Sequence, residues 1–102
     1  MAEGFLQMMR ARVDANQKSI VAALRKMGAS VLHLHTIGKG CPDILVGFRS
    51  KNALVEIKDG AKSPSAQKLT PDEATFQAEW RGQVIIINSV DDAIAFITQW
   101  SD

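Results

Sequence analysis

The chain has 102 residues, 46% of them hydrophobic and 23% charged, and its formal net charge is +1. This length supports a single folded domain, and the composition excludes wholesale disorder. No apolar run approaches the roughly 20 residues of a membrane-spanning helix, and the N-terminal stretch does not resemble a secretion signal. The one cysteine excludes an internal disulfide. We therefore expect a cytoplasmic protein with no membrane partner.

Positive charge is concentrated in the middle of the chain. Between residues 39 and 68 there are six basic and three acidic residues, whereas the C-terminal third is comparatively acidic. Such a segment can hold a phosphate backbone, or its lysines can simply solvate loops. The candidates for DNA contact are Lys39, Arg49, Lys51, Lys62 and Lys68.

The first half of the chain predicts a helix and a strand. Asp14 and Gln17 have the spacing of a capping box, apolar residues then recur at helical spacing, and Gly28 ends the helix. Ser30–Leu34 is a plausible strand, and glycines and Pro42 mark the turn-rich connection that follows. We assign residues 1–13 to an N-terminal arm and residues 14–102 to the domain.

The second half predicts a β-hairpin, a helix, a strand and a final helix. The hairpin pairs Ile44–Phe48 with Ala53–Lys58, and a mobile loop covers residues 59–69. Thr70 caps a helix that runs to about Arg81. The remaining elements are the apolar strand Val84–Ile87, expected to be covered on both faces, and a helix after Ser89 that packs Ala93, Ile94, Ile97 and Trp100 inward.

This order of elements, α-β-β-β-α-β-α, predicts an α/β domain. The step from the hairpin through a helix to Val84–Ile87 implies a right-handed crossover and some parallel pairing. We therefore expect a mixed sheet with helices on both faces.

Three side chains of the hairpin are expected to converge. If Ser50 and Lys51 form its two-residue turn, Asp43 lies opposite Lys58, and Glu56 is a diagonal neighbour on the same face. A one-residue change of register would separate them. Two carboxylates beside a lysine suit a hard cation, because Mg²⁺ takes oxygen ligands and keeps several waters.

These residues predict a catalytic site. Asp43 and Glu56 would bind Mg²⁺, or Mn²⁺ in its place, and the backbone carbonyl of Ile57 would supply a further ligand. Lys58 would orient the attacking water or neutralise the charge that develops on the phosphoryl group.

The sequence resembles a known nuclease family. Pro42-Asp43, followed thirteen residues later by Glu56-Ile57-Lys58, is similar to the PD-(D/E)xK signature. With Gly38 and Gly40, the pattern more specifically resembles the minimal VRR-NUC nucleases of phages and bacteria, which are akin to Holliday-junction resolvases. The resemblance implies a restriction-endonuclease-like core, metal-dependent phosphodiester hydrolysis, and a homodimer acting on branched DNA.

Two positions depart from the family pattern. The family usually has a metal-binding glutamate in the first helix, where this chain offers Asp14 or Gln17, both of which also fit as helix caps. The family often has a glutamine early in the helix after the ExK strand, where this chain has Glu73. Glu73 also fits a capping box with Thr70, so its role in the site stays open.

Other reactive or aromatic residues are better explained without a role in the chemistry, the histidines as hydrogen-bonded strand residues or residues near the site entrance, and Cys41 by packing. His33 and His35 share a strand face but have no evident third metal ligand, and Cys41 has no histidine partner in the sequence. Trp80, Phe96 and Trp100 are expected in the core or in a dimer interface.

The function that these observations predict is a metal-dependent, structure-selective DNA endonuclease. The alternative is a non-catalytic nucleic-acid-binding or assembly protein on a nuclease-like scaffold, which would bind DNA without cleaving it.

Overall fold

The protein forms a four-stranded mixed sheet with helices packed on it, in a computed structural model that describes residues 15–100. The elements are α1 (Ala15–Lys26), β1 (Ser30–His33), β2 (Ile44–Phe48), β3 (Lys51–Ile57), a 3₁₀ helix (Pro64–Gln67), α2 (Pro71–Glu79), β4 (Val84–Ile87) and α3 (Val90–Thr98). This confirms the predicted element order and adds the 3₁₀ helix inside the expected loop. The predicted arm, residues 1–13, lies outside the described residues, and so does Asp14.

The strands lie in the order β1-β2-β3-β4. The first three pair antiparallel, and β4 joins β3 in parallel after the chain crosses through α2. This is the mixed pairing that the strand–helix–strand step predicted.

The hydrophobic core lies between one face of the sheet and helices α1 and α3. Alternate residues of the central strands point into it, as period-two side-chain alternation requires. Its largest fully buried aliphatic side chains are Ile20, Leu24, Ile44, Val46, Val55 and Ile87. Because this face is filled by aliphatic side chains, the neighbours of these residues along β2 and β3 must point to the opposite face.

That opposite face is less well covered than the sequence predicted. Ile86 of β4 is 48% exposed, so the expectation that Val84–Ile87 is covered on both faces is wrong. The physical reason is that β4 is an edge strand, and α2, which approaches this face, buries none of its own side chains. Ile94 of α3 is 42% exposed and also departs from its predicted inward position.

The hairpin turn lies one residue earlier than predicted. Phe48 pairs with Lys51, so Arg49 and Ser50 form the turn, with φ angles of 52° and 65°. Two successive left-handed residues match the right-handed twist of the flanking strands. The pairing of β2 with β3 is therefore offset by two residues from the predicted register, and Asp43 lies opposite Glu56 instead of Lys58. An even offset keeps every side chain on its predicted face.

Helix α2 begins as predicted and ends early. The Thr70 hydroxyl accepts a hydrogen bond from the Glu73 N–H, and the Glu73 carboxylate accepts one from the Thr70 N–H, which completes a capping box. Trp80 is already extended, with ψ at 127°, so the helix stops before the predicted end at Arg81.

Between residues 15 and 100, no helix is long and apolar enough to cross a bilayer, and the longest has 12 residues.

Gly40 is the position where a larger residue should be least tolerated. It has a φ of 78°, and an added Cβ would overlap the backbone of Asp72 in the first turn of α2. We expect Gly40→Ala to lower the free energy of unfolding by about 3 kcal/mol, measured by urea denaturation, because left-handed strain and steric overlap add. Gly38→Ala is the matched control, since Gly38 has a similar φ of 79° and open space around it. Equal losses in the two variants would contradict the packing of this loop on α2.

Candidate active site

Asp43 is held at the start of β2 by a backbone hydrogen bond. Its Oδ2 accepts a bond of 2.7 Å from the N–H of Ile57, at the end of β3. The Asp43 carboxylate thus accepts the hydrogen bond that a backbone carbonyl would otherwise accept between β2 and β3. Burial raises the pKa of Asp43, and the hydrogen bonds from Ile57 and with Glu56 only partly oppose this effect.

Glu56 is the most deeply buried charged side chain among the described residues, with 3% of its surface exposed. Its position on β3 puts it on the face of Asp43 and away from the aliphatic core. Burial, followed by the charges of Asp43 and Glu73, raises the pKa of Glu56 to about 9. Burial disfavours negative charge on both Asp43 and Glu56, and a bound cation would compensate for that cost.

Lys58 lies beside these carboxylates and forms ion pairs with Glu56 and with Glu73 of helix α2. Its Nζ is 2.8 Å from Glu73 Oε1 and 3.5 Å from Glu56 Oε2. Burial alone would lower the pKa of Lys58, but the contacts with Glu73 and Glu56 outweigh it and raise the pKa above its usual value. The side chain is therefore a fixed cation at neutral pH.

Glu73 connects the site to helix α2. Burial would raise its pKa, but the hydrogen bonds from Lys58 and from the Thr70 N–H lower it, so Glu73 stays ionised. The same Oε1 atom accepts both bonds. The capping box and the contact with Lys58 are thus two functions of one side chain, which the sequence had presented as alternatives.

Helix α1 contributes Asn16, which sequence analysis missed. The Asn16 side-chain amide donates a hydrogen bond of 2.8 Å from Nδ2 to the backbone carbonyl of Lys58. This bond connects α1 to the end of β3. Gln17, a candidate metal ligand, is buried, and its Nε2 lies 3.4 Å from His33 Nδ1. An asparagine in the first turn of a helix gives no sequence signal for such a contact, because it is also a common helix-start residue.

Cys41 and the two histidines flank the site. Burial, and then the charges of Glu56 and Asp43, raise the pKa of the Cys41 thiol, so its environment opposes a thiolate nucleophile. The rings of His33 and His35 meet edge to face, with centroids 5.9 Å apart. The raised thiol pKa agrees with the packing explanation for Cys41, whereas His33 is exposed and agrees with a residue near the site entrance.

The predicted DNA-contacting residues fall into two groups. Arg49 and Lys51 lie at the tip of the hairpin, where the Arg49 guanidinium sits 5.4 Å from the centroid of the Phe48 ring. The five-residue strand β2 separates this tip from Asp43 by about 17 Å. Lys39 lies in the glycine loop that packs on α2, and Lys62 and Lys68 flank the 3₁₀ helix.

The oxygen donors of the site fit Mg²⁺. Among residues 15–100, no three His, Cys, Asp or Glu side chains come together as a complete metal cage. Mg²⁺ does not require one, since one or two carboxylates, waters and substrate phosphate complete its octahedron. Asp43 and Glu56 would provide the carboxylates. The Ile57 carbonyl faces the same neighbouring strand as the Ile57 N–H, which contacts Asp43.

Comparison with solved structures identifies the fold. A structure described as a "VRR_NUC domain" matches this chain with a TM-score of 0.63 and 24% sequence identity, over 83% of this chain and 92% of that one. The sequence matches no family model and no curated protein. The chain therefore has the α/β fold of that VRR_NUC domain, which confirms the fold expected from the resemblance.

Proposed function

We propose that this protein is a VRR-NUC nuclease of the PD-(D/E)xK superfamily, a metal-dependent endonuclease that cleaves Holliday junctions or other branched DNA. The observation that carries the proposal is the convergence of Asp43, Glu56 and Lys58 on the sheet face opposite the core. The nuclease-like fold supports it independently. The proposal includes a homodimer, which would present two sites to one branched DNA, and a cytoplasmic location in a bacterial or phage-infected cell.

In the proposed mechanism, Asp43 and Glu56 would hold Mg²⁺, for which Mn²⁺ could substitute. A bound ion would supply a water of lowered pKa and neutralise charge on the scissile phosphate. Asp43 is oriented by the Ile57 N–H, and Glu56 is confined by burial. Lys58, as a fixed cation, orients the attacking water or stabilises the negative charge of the transition state.

Two residues would position Lys58. Glu73 holds its ammonium group and Asn16 holds its backbone carbonyl, so both ends of the residue are restrained. Lys39, Lys62 and Lys68 would contact phosphates near the cut, and Arg49 and Lys51 would contact the backbone farther away. Binding through these residues should weaken steeply with salt, because it releases counterions.

One observation favours the alternative of a non-catalytic nucleic-acid-binding protein. Lys58 is paired with Glu73 and Glu56, and such an ion-pair network can be purely structural. In that case DNA would bind without being cut, and loss of Lys58 would change only the affinity.

The deciding experiment is cleavage of labelled four-way junction, flap, single-stranded and linear duplex DNA with Mg²⁺ or Mn²⁺. We expect paired cuts in the junction that chelation abolishes and that Glu56→Ala and Lys58→Ala both remove. Cleavage of the flap alone would still agree with a nuclease for branched DNA, whereas cleavage of only single-stranded or linear duplex DNA would keep the active site and overturn the preference for branched DNA. DNA binding without metal-dependent cleavage of any substrate would overturn the nuclease and support the alternative.

A further inference from the structure

A stacked pair of aromatic rings, one half-buried and one exposed, lies at the C-terminal end of the helix that reaches the candidate active site. Phe76 and Trp80 stack with their ring planes 14° apart and their centroids 5.2 Å apart. Trp80 is 48% exposed, so the expectation that it lies in the core is wrong, and its place in a dimer interface stays a prediction. We call these two residues the aromatic ledge.

The aromatic ledge is held in a defined orientation. The N–H of Trp80 bonds to the carbonyl of Phe76 at 2.9 Å, which fixes its backbone at the end of α2. A Cβ added at Gly82 would lie only 2.8 Å from Trp80 Nε1, so the indole rests closely against this glycine. Phe76 on one side and Gly82 on another thus restrain the indole while much of its surface stays open.

The aromatic ledge lies C-terminal to Glu73, the residue through which α2 contacts the candidate active site. Phe76 is three residues after Glu73, and so lies on the same side of the helix, one turn from the residue that binds Lys58. Trp80 is seven residues after Glu73, about 10 Å along the axis at 1.5 Å per residue. That distance matches about three stacked bases at 3.4 Å each.

We propose that the aromatic ledge stacks an unpaired base of the DNA substrate, two or three nucleotides from the bond that is cut. This inference rests on the proposed function, since it specifies the substrate of the same site. It selects DNA with a single strand adjoining the cut, such as a flap, over perfect duplex.

Stacking of a base on the aromatic ledge explains the expected preference for DNA with a single strand better than electrostatic attraction does. Bases in a duplex are already stacked on their neighbours, whereas an unpaired base can place its face on an aromatic ring, and such contacts are insensitive to sequence. Exposed Arg81 follows Trp80 and can hold a phosphate, but exposed Glu79 precedes it and opposes one. The two charges largely cancel, which leaves the aromatic surface as the distinguishing feature.

The test is binding of a single-stranded oligonucleotide and of a duplex of equal length to the full chain without divalent metal. Intrinsic fluorescence of Trp80 reports stacking, and the buried Trp100, the chain's other tryptophan, supplies a constant background. We expect quenching by the single strand. Trp80→Ala should weaken single-strand binding about 5- to 100-fold and leave duplex binding within about twofold. Trp80→Phe should retain part of the affinity, and Ile94→Ala, an exposed apolar control on α3, should change neither.

The outcomes separate this inference from the proposed function. If no DNA is cleaved yet the single strand quenches Trp80 selectively, the nuclease is overturned and the aromatic ledge stands. If DNA is cleaved but Trp80→Ala leaves single-strand binding intact, or weakens both forms equally, the aromatic ledge is overturned and the nuclease stands. Conversion of a dimer to a monomer by Trp80→Ala, with unchanged single-strand affinity per protomer, would identify a subunit interface and also overturn the inference.

Discussion

Glu56→Gln is expected to stabilise the metal-free protein at pH 8 by on the order of 2 kcal/mol relative to wild type. The pKa of Glu56 in the fold is about 9, whereas its ordinary value is 4.5. Between these values the folded chain keeps a proton that the unfolded chain has lost. The free energy of unfolding of wild type should therefore fall as pH rises from about 5 to 9. Glutamine cannot ionise and has almost the same shape, so the variant should lack this fall.

The measurement is urea unfolding from pH 5 to 9 in the presence of a chelator. The two proteins should be nearly equally stable at pH 5 and diverge as pH rises. Added Mg²⁺ should restore stability to wild type at pH 8 and have much less effect on Glu56→Gln, because ion binding favours the ionised carboxylate. If the free energy of unfolding depended on pH in the same way in both proteins, Glu56 would have no unusual proton affinity. If Mg²⁺ stabilised both proteins equally, Glu56 would not belong to the proposed metal site.

Lys58→Met should reduce the single-turnover cleavage rate by about 10²- to 10³-fold, the range observed when one preorganised electrostatic group is removed from an active site. Methionine retains the length and packing of the lysine stem while deleting the cation. Glu73→Gln should lower the rate by less than about tenfold, because glutamine can still close the capping box with Thr70 and accept a hydrogen bond from Lys58.

One further variant and a measurement of stability help to interpret this result. Lys62→Met removes an exposed lysine beside the 3₁₀ helix and should affect DNA affinity more than the rate of cleavage. Thermal unfolding of each variant verifies that the fold is retained. If Glu73→Gln lost as much activity as Lys58→Met, Glu73 would act directly on the reacting groups and not through Lys58. A Lys58→Met rate close to that of wild type would remove the lysine from the chemistry.

Local signals predicted much of the fold. The T-P-D-E start of α2 contains its own capping residues, and apolar alternation identified the inward face of the hairpin. The site residues followed from that alternation. Although the pairing of β2 with β3 is offset by two residues from the expected one, Asp43 and Glu56 keep their predicted face because side-chain direction repeats every two residues.

The features that were missed depend on contacts distant in sequence or on unusual turn residues. Arg49 and Ser50 take left-handed conformations without the Asn-Gly or Asp-Gly pattern that marks such turns, so nothing local indicated the register. The contact of Asn16 with the Lys58 carbonyl joins residues 42 positions apart. The exposure of Ile86 depends on how much of the sheet α2 covers, which periodicity does not report.

The hydrogen bond from Ile57 to Asp43 makes one part of the candidate active site rigid, whereas the part formed by Lys58 and Glu73 can rearrange. Asp43 cannot swing away without opening the last contact between β2 and β3, so its position has the stiffness of the sheet. Little side-chain entropy remains to be lost there when an ion binds. Lys58 and Glu73 meet instead through long side chains, which can exchange partners while their backbones stay fixed. In the proposed nuclease, substrate would therefore be able to change the partners of Lys58 without displacing the Asp43 carboxylate.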